Sequence, residues 1–381
     1  SPQRGIPPPS GLGGNNRPYH ILLHRCERVR VRDLRLWQSA YHSVRVIQSK
    51  YVHAGGLHIY NRVNNNNDGF HFISCEFVTV DNCNIQTQDD ACALFGSCKF
   101  VAVTNCTFST RWSVFRFGGG VAENITVSNC VLHQVYGCPF KFHGSAGARF
   151  ERMTFSNIVV DDVTGPISIS AGASSIVRDI SFTNIHGTVT TDPPQLTDVP
   201  FTSQIRPGEG HSAIVLNAVG DAIVENITLD NVHLTFGGGG TAEEAANRNV
   251  PDVAGEYFML GPIPAYGLYA RNAHGITVNN VRLTVSQPDL RPAVIFDGVE
   301  DAAISGLTVQ GNVYAESTVR FTRTRKVFMT ATRLLNAAGS FLQVEGTTND
   351  AITIDGGDLS GAATTVTFKD GATPAAIKLR A

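Results

Sequence analysis

Three acids stand at a spacing that could do chemistry. Asp89 and Asp90 are adjacent in Gln88-Asp89-Asp90-Ala91-Cys92-Ala93-Leu94, and Asp68 precedes them by 21 and 22 residues in Asn66-Asn67-Asp68-Gly69-Phe70. The surrounding text repeats every 23 residues, as Cys75 and Cys98, or Cys83 and Cys106, mark off. If each repeat is one turn of a solenoid, adjacent turns lie about 4.8 Å apart, so the three acids stack on neighbouring turns. Carboxyls that close push one another's proton affinity up. A protonated acid beside an ionised one can donate to a leaving oxygen while its neighbour activates water, the chemistry of glycosidic hydrolysis. An Asp-Asp pair at a bend is also ordinary turn chemistry, and Asp161-Asp162 is such a pair.

The elements that must position these acids are visible as repeats. The unit is apolar-x-apolar-x-Asn-apolar, as in Val78-Thr79-Val80-Asp81-Asn82-Cys83, Val101-Ala102-Val103-Thr104-Asn105-Cys106 and Ile125-Thr126-Val127-Ser128-Asn129-Cys130. It returns around Asn157, Asn184, Asn231 and Asn280, with Asp33 at the Asn position of an early copy. Alternation with period two predicts short strands. Asn at the bend tolerates the left-handed region, and its amide can bond the next Asn in the column. Units of this size, each with three strands and three bends, predict an all-β parallel β-helix of about ten to twelve turns. A leucine-rich horseshoe fits worse, since neither a leucine pattern nor a helical half-repeat is present.

Two gaps interrupt the rhythm, at 188–211 and 237–265, the first rich in Pro and the second opening on Gly237 to Gly240. Both fall at the bend that carries Asp89 and Asp90 in the short repeats, so both insertions are expected to wall the face of the acids. No second domain or linker is apparent, and 1–381 is read as one solenoid domain. The first residues, with three consecutive prolines and Gly11 to Gly14, read as an extended arm.

Composition narrows the classes. Of 381 residues 42% are hydrophobic and the formal net charge is −2, so there is no basic field for nucleic acid and no sign of a disordered chain. No run of about 18 apolar residues suggests a membrane span. The N-terminal text is not a signal peptide. Of the eight cysteines, Cys75 and Cys98, and Cys83, Cys106 and Cys130, follow the repeat, which predicts a column of buried thiols; a disulfide between turns is the lesser reading. With no CxxC pair or His cluster at metal spacing, neither metal nor cofactor is expected.

The motifs Asn66-Asn67-Asp68-Gly69 and Gln88-Asp89-Asp90-Ala91-Cys92-Ala93-Leu94 resemble the Asn-Thr-Asp-Gly and Gly-Asp-Asp-Cys-Ile-Ala-Ile motifs of the glycoside hydrolase family 28 polygalacturonases. The resemblance runs from about Arg17 to Leu307. It implies a right-handed parallel β-helix and inverting hydrolysis, with Asp89 as general acid and Asp68 and Asp90 positioning and activating water. It also implies a carbohydrate substrate, pectin-like and acidic. A secreted or periplasmic location and a monomeric state are expected. Where the family has Gly-His-Gly on the turn after the acids, this chain reads Arg111-Trp112-Ser113-Val114-Phe115-Arg116. The family's carboxylate-gripping Arg-x-Lys falls at Pro139-Phe140-Lys141-Phe142-His143, where Lys141 and His143 share a strand face.

Further substrate-binding candidates are Arg116, polar between Phe115 and Phe117, and Trp112 as a sugar-stacking platform. Asn66, beside Asp68, and Tyr266 and Arg271, after the second insertion, complete the set. His58 and His71 read as structural. Two other readings remain open. One is a carbohydrate-binding β-helix without catalysis. The other is a lyase on the same fold, with Lys141 or Arg116 abstracting a proton and the acids holding a metal. Given hydrolysis, loops over the acid face favour an exo-acting pocket.

Overall fold

Every alternate apolar residue of the repeat meets its counterpart one turn away. Val78 pairs with Val101, Val101 with Ile125, Ile125 with Met153, and the column continues through Ile180, Ile227 and Ile276 to Ile352. These residues are buried, each contributing about 1.5–3 kcal/mol relative to exposure. The computed structural model describes residues 17–194, 196, 206 and 208–380. The arm read into the first residues, and much of the first insertion, lie outside them.

The architecture is the expected all-β parallel β-helix. One sheet runs unbroken through 13 strands, one turn more than the upper expectation, and a second sheet of 19 strands forms the other walls. Strand pairs in both sheets are parallel and mostly in register, with a bulge between Phe108 and Thr110 and another between Val160 and Val163. In the middle of the stack the second and third strands of a turn merge, as in Val121–Val135, Arg149–Val163 and Ile176–Val189. Among the described residues no helix is long and apolar enough to cross a membrane.

The Asn column forms as expected. Asn129, Asn157, Asn184, Asn231 and Asn280 all have φ between 47° and 56°. Their amides donate in sequence, Asn157 to Asn129, Asn184 to Asn157, Asn231 to Asn184 and Asn280 to Asn231, at 2.7 to 3.2 Å. All eight cysteines are free, and all but Cys26 are buried.

Within the 13-stranded sheet, alternation divides each short strand between core and exterior. In Phe115–Gly118 and Phe140–Gly144, the rings of Phe115, Phe117, Phe140 and Phe142 point inward and stack, 4.6 Å apart for Phe117 and Phe142. The opposite face carries one continuous column: Arg45, His71, Ala93, Arg116, Lys141, Ser168, Val215, Tyr269, Ile295 and Arg320. This column is the floor of the candidate site.

Both insertions enter at the acid-bearing bend, since Thr87, Thr110, Val135, Val163, Val189 and Phe236 are register partners just before it. The second insertion runs back along the floor. Its short helix Ala242–Ala246 lies over Arg320, whose guanidinium donates to the Ala245 carbonyl at 2.7 Å. Arg248 pairs with Glu345, Arg271 holds the Val250 and Pro251 carbonyls, Asn217 that of Val253, and Ser170 accepts from Gly255. Turn by turn, the segment approaches the acids from the C-terminal side.

Candidate active site

The bend bearing Asp89 and Asp90 is held by backbone and side-chain bonds from two turns. Thr87 and Thr110, stacked on neighbouring strands, both donate to the Asp89 carbonyl at 2.6 Å. Gln88 donates its N–H to Asn61 and accepts from Asn67, and the Asp89 N–H reaches the Asn67 carbonyl. Asn67 in turn caps Val63 and Asn64 and donates to the Ser39 and Tyr41 carbonyls. Gly69 is required by space: a Cβ there would stand 2.5 Å from the Ala91 carbonyl oxygen. Such a frame fixes carboxyl directions before any ligand arrives.

The three acids occupy adjacent positions, as their spacing predicts, and differ in environment. Asp68 is buried; its Oδ2 lies 2.6 Å from His71 Nδ1 and its Oδ1 3.6 Å from His42 Nε2. Burial and the neighbouring Asp90 charge hold its carboxyl well above the usual range. Asp89 is half-buried, the most accessible of the three. Its Oδ1 accepts from the Asp90 N–H at 2.9 Å and its Oδ2 from Asn66 at 3.3 Å. Burial, then Asp68 and Asp90, push its carboxyl well above the usual range too. Asp90 accepts from the Ser113 N–H at 3.2 Å and is the member with a cation at ion-pair distance, Arg116 at 3.6 Å.

Arg116 and Lys141 point outward from successive strands, as their flanking phenylalanines predict, and both meet a carboxylate that no local pattern foreshadowed. Glu256 of the second insertion lies 3.1 Å from Arg116 and 2.6 Å from Lys141. Burial works against its charge, yet Lys141 and Arg116 hold its carboxyl below the usual range. His143 shares the Lys141 face as expected; burial, then Arg116, lower its imidazole, keeping it neutral near pH 7.

Three assignments are corrected by position. Tyr266 is not at the site: it is buried in the core, its hydroxyl donating to the Gln310 carbonyl at 2.8 Å, because Tyr266 precedes its strand on the inward side. Arg271 is spent on Asn217 and on insertion carbonyls, beyond the turns that carry Lys141. Trp112 offers no open platform, since Arg206 sits 5.2 Å over its ring and Phe258 at 6.1 Å, both from insertions. Beneath it, Arg111 and Glu209 form a buried ion pair at 3.0 Å that ties the first insertion down beside the acids.

His71, read as structural, is instead the Asp68 partner. It lies in an aromatic stack with His42 at 4.3 Å and Phe95 at 5.0 Å, with Tyr41 beyond His42. Burial, then Arg45, lower the His71 imidazole to about 3, and burial, then His71, lower the His42 imidazole further. Ligand atoms of His42, Asp68 and His71 lie within 4.8 Å of one another, near enough to share a cation. Arg45 was also missed, though its signal was present: Val44-Arg45-Val46 and Phe70-His71-Phe72 repeat the pattern that singled out Arg116.

The family model described as Glycosyl hydrolases family 28 matches residues 10–255. No curated protein matches the chain. Among solved structures, the chain is similar to a hyperthermoactive exopolygalacturonase from Thermotoga maritima at 12% identity and a TM-score of 0.33, covering 93% of this chain and 55% of that one. It is similar to tailspike protein gp49 from Acinetobacter baumannii bacteriophage Fri1, a capsular polysaccharide depolymerase, at 12% identity and TM-score 0.35, covering 88% and 58%. It is also similar to the A-module of the Azotobacter vinelandii mannuronan C-5 epimerase AlgE4, at 11% identity and TM-score 0.37, covering 94% and 90%.

Proposed function

Because this chain belongs to glycosyl hydrolases family 28, we propose that it hydrolyses an O-glycosidic bond in a pectin-like polysaccharide or oligosaccharide, from a chain end and with inversion. The observation that carries this is the graded acid cluster: Asp89, accessible and held toward its protonated form, beside Asp90, paired with Arg116. In this reading the Asp89 carboxyl gives its proton to the glycosidic oxygen as the bond to the anomeric carbon breaks. A water attacks that carbon from the opposite face and loses its proton to Asp90, with Asp68 orienting the water. Inversion needs about 6.5–9.5 Å between acid and base for that water to enter.

End-trimming is supported by the course of the second insertion, which covers the floor on the C-terminal side of Lys141. A lyase base is disfavoured, since Lys141 and Arg116 are both held by Glu256. A polymeric substrate agrees with action outside the cytoplasm, as a monomer. Incubation with pectic polysaccharides tests the reading: reducing ends should appear without the ultraviolet absorbance of unsaturated uronides, monosaccharide first, and proton NMR should record the inverted anomer. Unsaturated products would replace hydrolysis by elimination.

A further inference from the structure

The two cations at the acid cluster already hold a carboxylate, and it belongs to the chain. Glu256 lies 2.6 Å from Lys141 Nζ and 3.1 Å from Arg116 Nη1, while the same guanidinium faces Asp90 at 3.6 Å. The groups facing this point are Arg116, Lys141, His143, Asp89, Asp90 and Glu256, with Asp89 held toward its protonated form. With His143 neutral, the two positive charges are matched by Asp90 and Glu256 before any ligand arrives.

Glu256 is fixed from both sides. Gly255 donates to Ser170 Oγ at 3.1 Å. Tyr257 is buried, its hydroxyl 2.8 Å from Thr164 Oγ1 and 3.2 Å from the Tyr136 carbonyl oxygen. A substrate carboxylate could reach Lys141 only by displacing Glu256, which would pull Tyr257 out of its socket or strip Glu256 of both its cation partners.

We propose that Glu256 determines specificity in the subsite over Arg116 and Lys141, selecting a neutral sugar and rejecting a uronate. Its carboxylate accepts hydrogen bonds from sugar hydroxyls, and Lys141 and Arg116 orient it rather than grip an acid. The inference rests on the glycosidase reading of the same site.

The test compares two probes that differ in one group, methyl galactoside and methyl galactosiduronate, binding to the full chain and to Glu256→Gln and Glu256→Ala, by ligand-observed NMR titration. The intact chain should favour the neutral probe by about tenfold or more, the scale of unpaired like charges at close range. Glu256→Gln, which keeps shape and loses charge, should shift the ratio toward the uronate by a similar factor, and Glu256→Ala should follow; circular dichroism checks the fold of each. Equal affinities, no binding of either probe, a uronate preference, or a ratio unmoved by both variants overturns the proposal. Binding is read without turnover, so a preference found in a protein that cleaves nothing would reject the hydrolase reading and keep the specificity. Cleavage without preference would do the reverse.

Discussion

His71 Nδ1 lies 2.6 Å from Oδ2 of Asp68, within hydrogen-bond distance. The imidazole stacks between His42 and Phe95, so its nitrogen has a fixed direction. His71→Phe keeps the stack and deletes the nitrogen. We expect kcat to fall about 10–100-fold with KM little changed and the pH profile displaced, the effect of freeing a group that orients an acid. Activity should survive dialysis against a chelator; loss on chelation would instead make His42, Asp68 and His71 cation ligands.

Asp89→Asn removes the proposed proton donor with almost no change of shape. The expected loss is about 10²–10⁴-fold in kcat. Asp90→Asn, which removes the proposed base and the Arg116 partner, should cost at least as much. Near-full activity in Asp89→Asn on a cleaved substrate would assign the acid elsewhere.

The raised carboxyls make stability depend on pH. The folded state binds these protons more tightly than the unfolded chain, where Asp titrates near about 3.9. The stability they contribute is therefore full below that value and lost as pH rises through the raised folded-state values of Asp68 and Asp89. Asp68→Asn, a neutral isostere, should melt higher than the unaltered chain at pH 7, with the difference vanishing below about pH 4. Activity should also fall as pH rises through the Asp89 value, since the donor must be protonated. A melting difference independent of pH would refute this.

Arg45 is buried, yet among the described residues no carboxylate pairs with it. Its Nη1 meets His42 Nδ1 at 3.3 Å, its guanidinium lies 5.4 Å from the Tyr19 ring centroid, and its Nε has no partner. A desolvated cation on the floor beside the acids suits an acidic substrate unit. Arg45→Met should weaken binding of a neutral oligosaccharide carrying one uronate unit about tenfold and leave a wholly neutral one unaffected.

Gly69→Ala tests the frame rather than the chemistry. The new Cβ would stand 2.5 Å from the Ala91 oxygen and 2.8 Å from Ile85 Cγ2. Neither atom can retreat, since Ala91 is in the acid-bearing bend and Ile85 is core. We expect about 1–3 kcal/mol of destabilisation in a denaturant titration, with activity reduced as Asp68 shifts.

The sequence alone determined the solenoid, its Asn column and the stacking of Asp68, Asp89 and Asp90. These follow from local periodicity, since a repeat of 23 residues places equivalent atoms one strand spacing apart. The outward direction of Arg116, Lys141 and His143 was legible for the same reason, and the same alternation marks Arg45 and His71. Only the tertiary structure decided what meets those side chains. Glu256 reaches Arg116 and Lys141 from 140 and 115 residues away through an insertion outside the repeat. Tyr266 turns inward, while Trp112 and Arg271 are taken up by the insertions. A periodic backbone dictates contacts between neighbouring turns, whereas an insertion's path is set by where its own apolar residues, such as Tyr257 and Leu260, find burial.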